Sequence, residues 1–169
     1  QKHVGKKYVY NIDVKDFFSS ISFHRIRAML AKVPPFKLND EIAHLVANLC
    51  CHENALPQGA ATSPVLSNFV CKRLDAKFYN FSQKGTFFTY SRYADDITIS
   101  VNKNIFSDAF KKEVARIIEE EGFALNEKKE RLQRYNVKQA NGSYIRERQE
   151  VTGIIVNEKT NVSRTYLRN

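Results

Sequence analysis

Asp95 and Asp96 stand side by side, and Asp13 lies far earlier in the chain; these are the residues whose type and placement best suit chemistry. Three carboxylates drawn to one sheet edge would repel one another, so the arrangement calls for a cation. Oxygen-only ligands select Mg²⁺, with Mn²⁺ able to substitute. Two such ions about 4 Å apart clamp the attacking and leaving oxygens of an in-line phosphoryl displacement. Taken alone, Asp-Asp is equally good turn chemistry and a strand-end Asp is ordinarily solvated. The elements around these residues decide whether they meet.

Tyr8–Val14 is rich in β-branched and aromatic residues and reads as a strand, with Asp13, Lys15 and Asp16 at its end. Ser22 is placed to cap a helix running to about Lys32, stopped by Pro34 and Pro35. A second helix follows Asn39, with Ile42, Leu45, Val46 and Leu49 as its apolar face. Ser63-Pro64 is a start signal for a third, whose apolar positions run from Leu66 to Phe78. Thr86–Tyr90 reads as a strand, and Ile97, Ile99 and Val101 alternate as another, with Asp95 and Asp96 in the hairpin turn between them. Phe106 to Ile118 gives an amphipathic helix that Gly122 ends. Short strands are expected near Phe123–Leu125, Leu132–Tyr135 and Val151–Val156, with Asn141-Gly142 as a turn between the last two.

Without the inserted helices the order is strand–helix–strand–strand–helix–strand. That is the split βαβ arrangement of an α+β fold, an antiparallel sheet with helices on one face. In it the strand from Ile97 lies beside the strand from Tyr8, which sets Asp13 against Asp95 and Asp96.

Composition agrees with one globular domain. The chain has 169 residues, 43% hydrophobic and 27% charged, which excludes a disordered or collagen-like polymer. No apolar run approaches the ~20 residues of a membrane helix. The net charge of +9 suits a polyanionic partner, nucleic acid first. Cys50, Cys51 and Cys71 form no disulfide framework, so a reduced, cytoplasmic setting is expected. Adjacent Cys50 and Cys51 point about 100° apart on a helix, which argues against a zinc site with His52.

Tyr93-Ala94-Asp95-Asp96 resembles the catalytic signature of reverse transcriptases. Asp13-Val14-Lys15-Asp16-Phe17-Phe18 resembles that family's first metal-binding motif, and Leu56 to Pro64, containing Gln58-Gly59, resembles the motif between the two. Gly122 to Lys129 resembles the one that follows. Val151-Thr152-Gly153, and Gln1-Lys2-His3 as the tail of an Asn-Ala-x-x-His motif, look like features of the bacterial retron subgroup. Intron-encoded and antiphage reverse transcriptases stay open as alternatives.

The resemblance implies an RNA-directed DNA polymerase that adds dNTPs to a primer on an RNA template. It implies two Mg²⁺ ions on Asp13 and Asp95, with Asp96 assisting. Phe18 is implied as the steric gate beneath the incoming sugar, while alternation makes Phe17 the core residue. The backbone amides of Asp16 and Phe17 would meet phosphate oxygens. Gln58 and Gly59 would contact nucleotide or template, with Gly59 allowing close backbone approach, and Lys129 would lie near the leaving pyrophosphate. Primer and template contacts are implied for Tyr93, Thr152 and Gly153. Arg92 is expected to support the turn.

By the same resemblance the chain is a palm fragment, with a helical fingers/palm insertion at about 19–85 and the start of a thumb connection at about 150–169. Gln1 is no initiator, so the numbering is expected to start inside a longer protein. Lys2, Lys6 and Lys7 are expected on a frayed terminus. The fragment alone is expected to polymerise poorly and to self-associate through exposed apolar surface. Competing readings are a non-catalytic nucleic-acid-binding palm, an RNA-dependent RNA polymerase, which Phe18 opposes, and a ferredoxin-like binding domain.

Overall fold

The computed structural model describes residues 2–85 and 87–162. Its centre is strand β1 (Tyr8–Lys15), flanked by β3 (Asp96–Val101) on one side and by β5 (Arg131–Lys138) and the short β4 (Ala124–Leu125) on the other. β2 (Thr89–Tyr93) pairs with the outer edge of β3, and β6 (Tyr144–Arg146) with that of β5. The main sheet therefore runs β2-β3-β1-β5-β6, all antiparallel. Helices α1 (Phe23–Lys32), α2 (Asp40–Cys50), α3 (Ser63–Val70), α4 (Lys72–Gln83) and α5 (Asp108–Glu120) supply the rest of the core. This is the α+β arrangement expected from the strand order.

β1 is buried along most of its length, with only Lys15 exposed. Ile97, Ile99 and Val101 of β3 join Tyr10, Ile12, Leu74, Phe78 and Val114 in one cluster. Phe78 stacks on Tyr90 with 4.7 Å between ring centroids, and truncating such a ring costs about 3–5 kcal/mol. Helix starts follow local chemistry. Ser22 Oγ accepts from Arg25 N, Asn39 Oδ1 from Ile42 N and Ser107 Oγ from Phe110 N, each cap contributing about 1 kcal/mol.

Several expectations are corrected. β2 starts at Thr89, because its partners on β3 run only from Ser100 to Asp96; Thr86 lies outside the described residues. Asp96 is not in the turn but is the first residue of β3, opposite both Tyr93 and Asp13. The single helix expected from Ser63 to Phe78 is two, broken at Cys71. Its N-cap is Thr62, and Ser63 Oγ instead donates to Pro57 O at 2.7 Å, fastening the preceding loop. On α2 the small Ala43 and Ala47 are the buried positions, while Ile42, Leu45 and Leu49 face outward at 47%, 58% and 79% exposure. The apolar periodicity of α2 marks an open face, not a core face. The segment Val151–Val156 is a hairpin, β7 (Glu150–Val151) and β8 (Ile154–Ile155), joined through Thr152 and Gly153 at positive φ. With β9 (Asn161–Val162) it forms a small second sheet. Asn141-Gly142 turns β5 into β6, a strand the periodicity did not reveal.

The segment from His3 to Lys7 is tied down, not frayed. Gly5 N donates to Val156 O and Asn157 O, and Tyr135 N donates to Lys7 O. His3 is buried, with Nδ1 2.7 Å from Ser100 Oγ and Nε2 2.7 Å from Ser91 Oγ. Burial, then the nearby positive charges of Lys2 and Lys6, push its pKa down to about 4, so the ring is neutral. Gln1 and residues 163–169 fall outside the described set, so the expected thumb connection is described only as far as β9. Among the described residues, no helix is long and apolar enough to cross a membrane.

Candidate active site

The antiparallel register brings the three carboxylates to one end of the β1–β3 ladder. Asp13 is opposite Asp96, and Val14 N donates to Asp95 O at 3.0 Å, fastening the β2–β3 turn to β1. Ala94 takes φ +50° in that turn, a left-handed conformation unusual for alanine and held here by the surrounding contacts. The main holding group is Arg92. Its Nε and Nη2 donate to the two carboxylate oxygens of Asp75 at 2.9 and 2.8 Å, and its Nη1 donates to Ala94 O at 3.3 Å. Tyr90 Oη also donates to Asp75, at 2.7 Å. Arg92 thus braces the turn from behind, as its position in the sequence suggested. Asp75 carried no local signal, since it sits on α4 and meets Arg92 only in the fold.

A cleft of about 690 Å³ opens at this end of the sheet. Asp13, Asp16, Phe17, Phe18, Gln58, Asp95 and Lys129 all line it, so residues from four separate stretches of sequence share one concavity. Asp16 turns the chain at φ +48°, and its carbonyl accepts from Ser20 N and Ser19 Oγ. The turn sends Phe17 into the core, stacked on Phe123 at 5.6 Å, and leaves Phe18 half-buried at the cleft wall. Gly59 has φ +89°, a left-handed conformation that glycine adopts without strain, and open space where a Cβ would lie. Tyr93 is 73% exposed beside the carboxylates. Thr152 and Gly153 form the β7–β8 turn and are not among the cleft residues.

Asp13 is nearly buried and both its oxygens are engaged. Oδ1 accepts from Asn126 Nδ2 at 3.1 Å, and Oδ2 from Lys129 Nζ at 2.9 Å. Asn126 N also donates to Asp13 O, so the 3-10 turn Glu127–Lys129 is moored to β1. Lys129 is held charged by that hydrogen bond and by the Asp13 carboxylate. The Asp96 carboxyl is shifted up from its ordinary range, first by partial burial, then by the charges of Asp95 and Asp13, with Lys129 opposing. Asn126 is a further site residue within the Gly122 to Lys129 stretch; its only sequence signal is its nearness to Lys129.

Among the described residues, no three His, Cys, Asp or Glu side chains form a preassembled metal cage. The donor set nevertheless fits a hard divalent cation. It is oxygen-only, it is crowded enough to shift Asp96, and Asp13 already binds one cation, the Lys129 ammonium. Cys50, Cys51 and Cys71 are free thiols, and Cys71 is buried.

Residues 1–157 match the family model described as reverse transcriptase (RNA-dependent DNA polymerase). The chain is 30% identical over 164 residues to the retron Ec86 reverse transcriptase of Escherichia coli, covering 96% of this chain and 47% of the relative. It is 32% identical over 181 residues to the retron Mx65 reverse transcriptase of Myxococcus xanthus, covering 96% and 39%. The chain thus spans less than half the length of these curated relatives. Among solved structures it resembles apo telomerase from Candida tropicalis, with TM-score 0.61, 12% identity and coverage of 96% of this chain and 36% of that one. It also resembles telomerase from Candida albicans in complex with a fragment of telomeric RNA, with TM-score 0.63, 13% identity and coverage of 92% and 31%. At such identities these two likenesses concern the fold alone.

Proposed function

Because the chain belongs to the reverse transcriptase family, we propose that it is the palm of a retron-type RNA-directed DNA polymerase, extending a primer on an RNA template with dNTPs. The retron relatives support the subtype over an intron-encoded enzyme. One observation carries the catalytic reading: Asp13, opposite Asp96 in the β1–β3 register, lines a cleft together with Asp95, Phe18, Gln58 and Lys129.

Asp13 and Asp95 would hold two Mg²⁺ ions, with Asp96 adding negative charge beside them; Mn²⁺ suits the same oxygens. When bound, such ions supply charge neutralisation and a more acidic primer hydroxyl for attack on the α-phosphate. The protein's own part is positioning. The cleft wall at Asp16 and Phe17 would receive phosphate oxygens, and Gln58 would donate to nucleotide or template. Phe18 would sit beneath the sugar and exclude a 2′-hydroxyl. Lys129, released from Asp13, would meet the departing pyrophosphate. Tyr93, Thr152 and Gly153 would face primer and template, the last two on the β7–β8 turn beyond the cleft.

The test is primer extension on an RNA template by the full-length enzyme. Asp13→Asn and Asp95→Asn should each lower turnover at least about a hundredfold with the melting temperature nearly kept, since each removes a charge the cations need. Turnover within tenfold of the wild type would end the assignment. Phe18→Ala should raise the kcat/KM for ribonucleotides relative to deoxyribonucleotides; an unchanged ratio would make Phe18 a packing residue.

A further inference from the structure

The other end of the β1–β3 ladder carries a second concave surface with the opposite charge. There Tyr8 lies opposite Val101, five residues along β1 from Asp13, which is about 17 Å at strand spacing. A groove of about 500 Å³ is lined by Lys6, Gln83, Phe87, Asn102 and Lys103, among others, and, among the described residues, by no carboxylate. A second hollow of about 560 Å³ shares Lys6 and Asn102 with it and continues past Lys7 to Tyr135 and Glu158. The two therefore make one track with Lys6 and Asn102 at its waist.

We propose that this track binds a single strand of nucleic acid, separately from the primer–template in the catalytic cleft. Phe87 is 75% exposed at one end, whereas its neighbour Phe88 points inward against Phe81 and Phe110. A large ring turned out of a chain whose next residue anchors the core is a platform for stacking a base. Among the described residues, Lys6, Lys7 and Lys103 have no ion-pair partner, unlike Lys77, Lys111 and Lys129. Three uncommitted ammonium groups along a groove suit a phosphodiester backbone, and an aromatic face with amide groups suits bases without reading their sequence. The backbone bonds of Gly5 and Lys7 to the β5 and β8 regions fix the lysine-bearing segment in place, which lowers the ordering cost of binding. Glu158 is the one opposing charge lining the track. It lies at the far end and accepts from Tyr135 Oη at 2.7 Å, so the strand would exit before it.

The test uses full-length enzyme and labelled twelve-nucleotide strands, oligo-rU and oligo-dT in separate arms, followed by fluorescence anisotropy with saturating unlabelled primer–template present. The strand should still bind. The double variant Lys6→Gln, Lys103→Gln should weaken it about tenfold and flatten the log K against log[salt] slope by about 1.4, two phosphate contacts' worth for a single strand. Phe87→Ala should weaken it about fivefold or more without changing that slope. Turnover on a short primer–template should be unchanged in both variants. Preference for rU over dT would identify RNA as the strand, and equal binding would identify either; both support the track. Displacement by primer–template, unchanged affinity and slope in the double variant, or backbone amides near Phe87 protected from hydrogen exchange in the strand-free enzyme would each overturn it. The last would mean that another part of the protein covers the ring.

Discussion

The β1–β3 ladder ends in opposite chemistries. At one end Asp13, Asp95 and Asp96 crowd together, and the nearest cation is Lys129, drawn onto Asp13. At the other, Lys6 and Lys103 stand over a groove whose phenylalanine is bare, and the titratable ring beside them, His3, is kept neutral. The strands are the same, so the difference lies in what caps them. The acidic end is closed by a two-residue turn strained at Ala94 and braced by a buried guanidinium; the basic end is closed by main-chain hydrogen bonds to the chain's first residues. In a chain of net charge +9, three carboxylates thus meet where a cation is wanted, while Lys6, Lys7 and Lys103 line a surface where a polyanion can run.

If the two ends are built independently, damage to one should spare the other. Arg92→Ala removes both hydrogen bonds to Asp75 and the one to Ala94 O, and leaves Asp75 without its charge partner. The Arg92 side chain is buried, but that of Asp75 is 37% exposed and keeps its bond from Tyr90, so a destabilisation of about 2 kcal/mol is expected, below that of a fully buried pair. Primer extension should fall even at temperatures where the variant is folded, because the turn carrying Asp95 loses its brace. Arg92→Lys should recover the charge but not the fork, and land between the two. Single-strand affinity at the Lys6 groove should stay within twofold. Equal loss at both ends would mean that the ladder moves as one unit and the comparison fails.

The basic end has its own signature in pH. Its His3 has a folded pKa of about 4, below the unfolded value of 6.5, so the unfolded chain binds more protons between those limits. The stability it contributes is complete above pH 6.5 and is lost as pH falls toward 4. Between pH 7 and 5 the loss should be about 2 kcal/mol in urea unfolding, and His3→Gln should remove that dependence. A slope unchanged by the substitution would show that His3 is not buried neutral between Ser91 and Ser100.

What could be read from the sequence follows the same division. The acidic end was legible because its parts are local and typed. A carboxylate pair precedes an alternating strand, another carboxylate closes a β-branched run, and the strand order forces them together. The helix starts at Ser22 and Asn39 were legible for the same reason, since a cap acts within four residues. The brace was not, because Asp75 and Arg92 meet only through packing of α4 on β2. Nor was the mooring of the first residues, which depends on backbone groups of Tyr135, Val156 and Asn157. Hydrophobic period misled on α2, where Ile42, Leu45 and Leu49 share a face that the fold leaves open. The pattern reports that a face is apolar, not that something covers it.

The smallest expected effect sharpens the comparison at the acidic end, where Lys129 occupies the carboxylate that a metal would need. Lys129 Nζ is 2.9 Å from Asp13 Oδ2, and Asn126 holds the other oxygen, so a divalent ion arriving at Asp13 competes with Lys129 for Oδ2 while Asn126 can stay. An ammonium there also repels an incoming cation. Lys129 is 61% exposed, so the charge is partly screened and its removal should matter only modestly. Lys129→Met keeps the length of the side chain and removes the charge. Mn²⁺ binding, read from the free-ion electron paramagnetic resonance signal in the absence of nucleotide, should tighten by a factor of about three to ten. Asp13→Asn measured in parallel should weaken it. Tightening in the first variant with weakening in the second is the pattern of an internal counter-ion competing for one carboxylate. If Lys129→Met leaves Mn²⁺ affinity unchanged while Asp13→Asn lowers it, the carboxylate binds metal but the lysine does not guard it. If neither variant moves the affinity, the acidic end is not a cation site, and only the basic end of the ladder would keep its assignment.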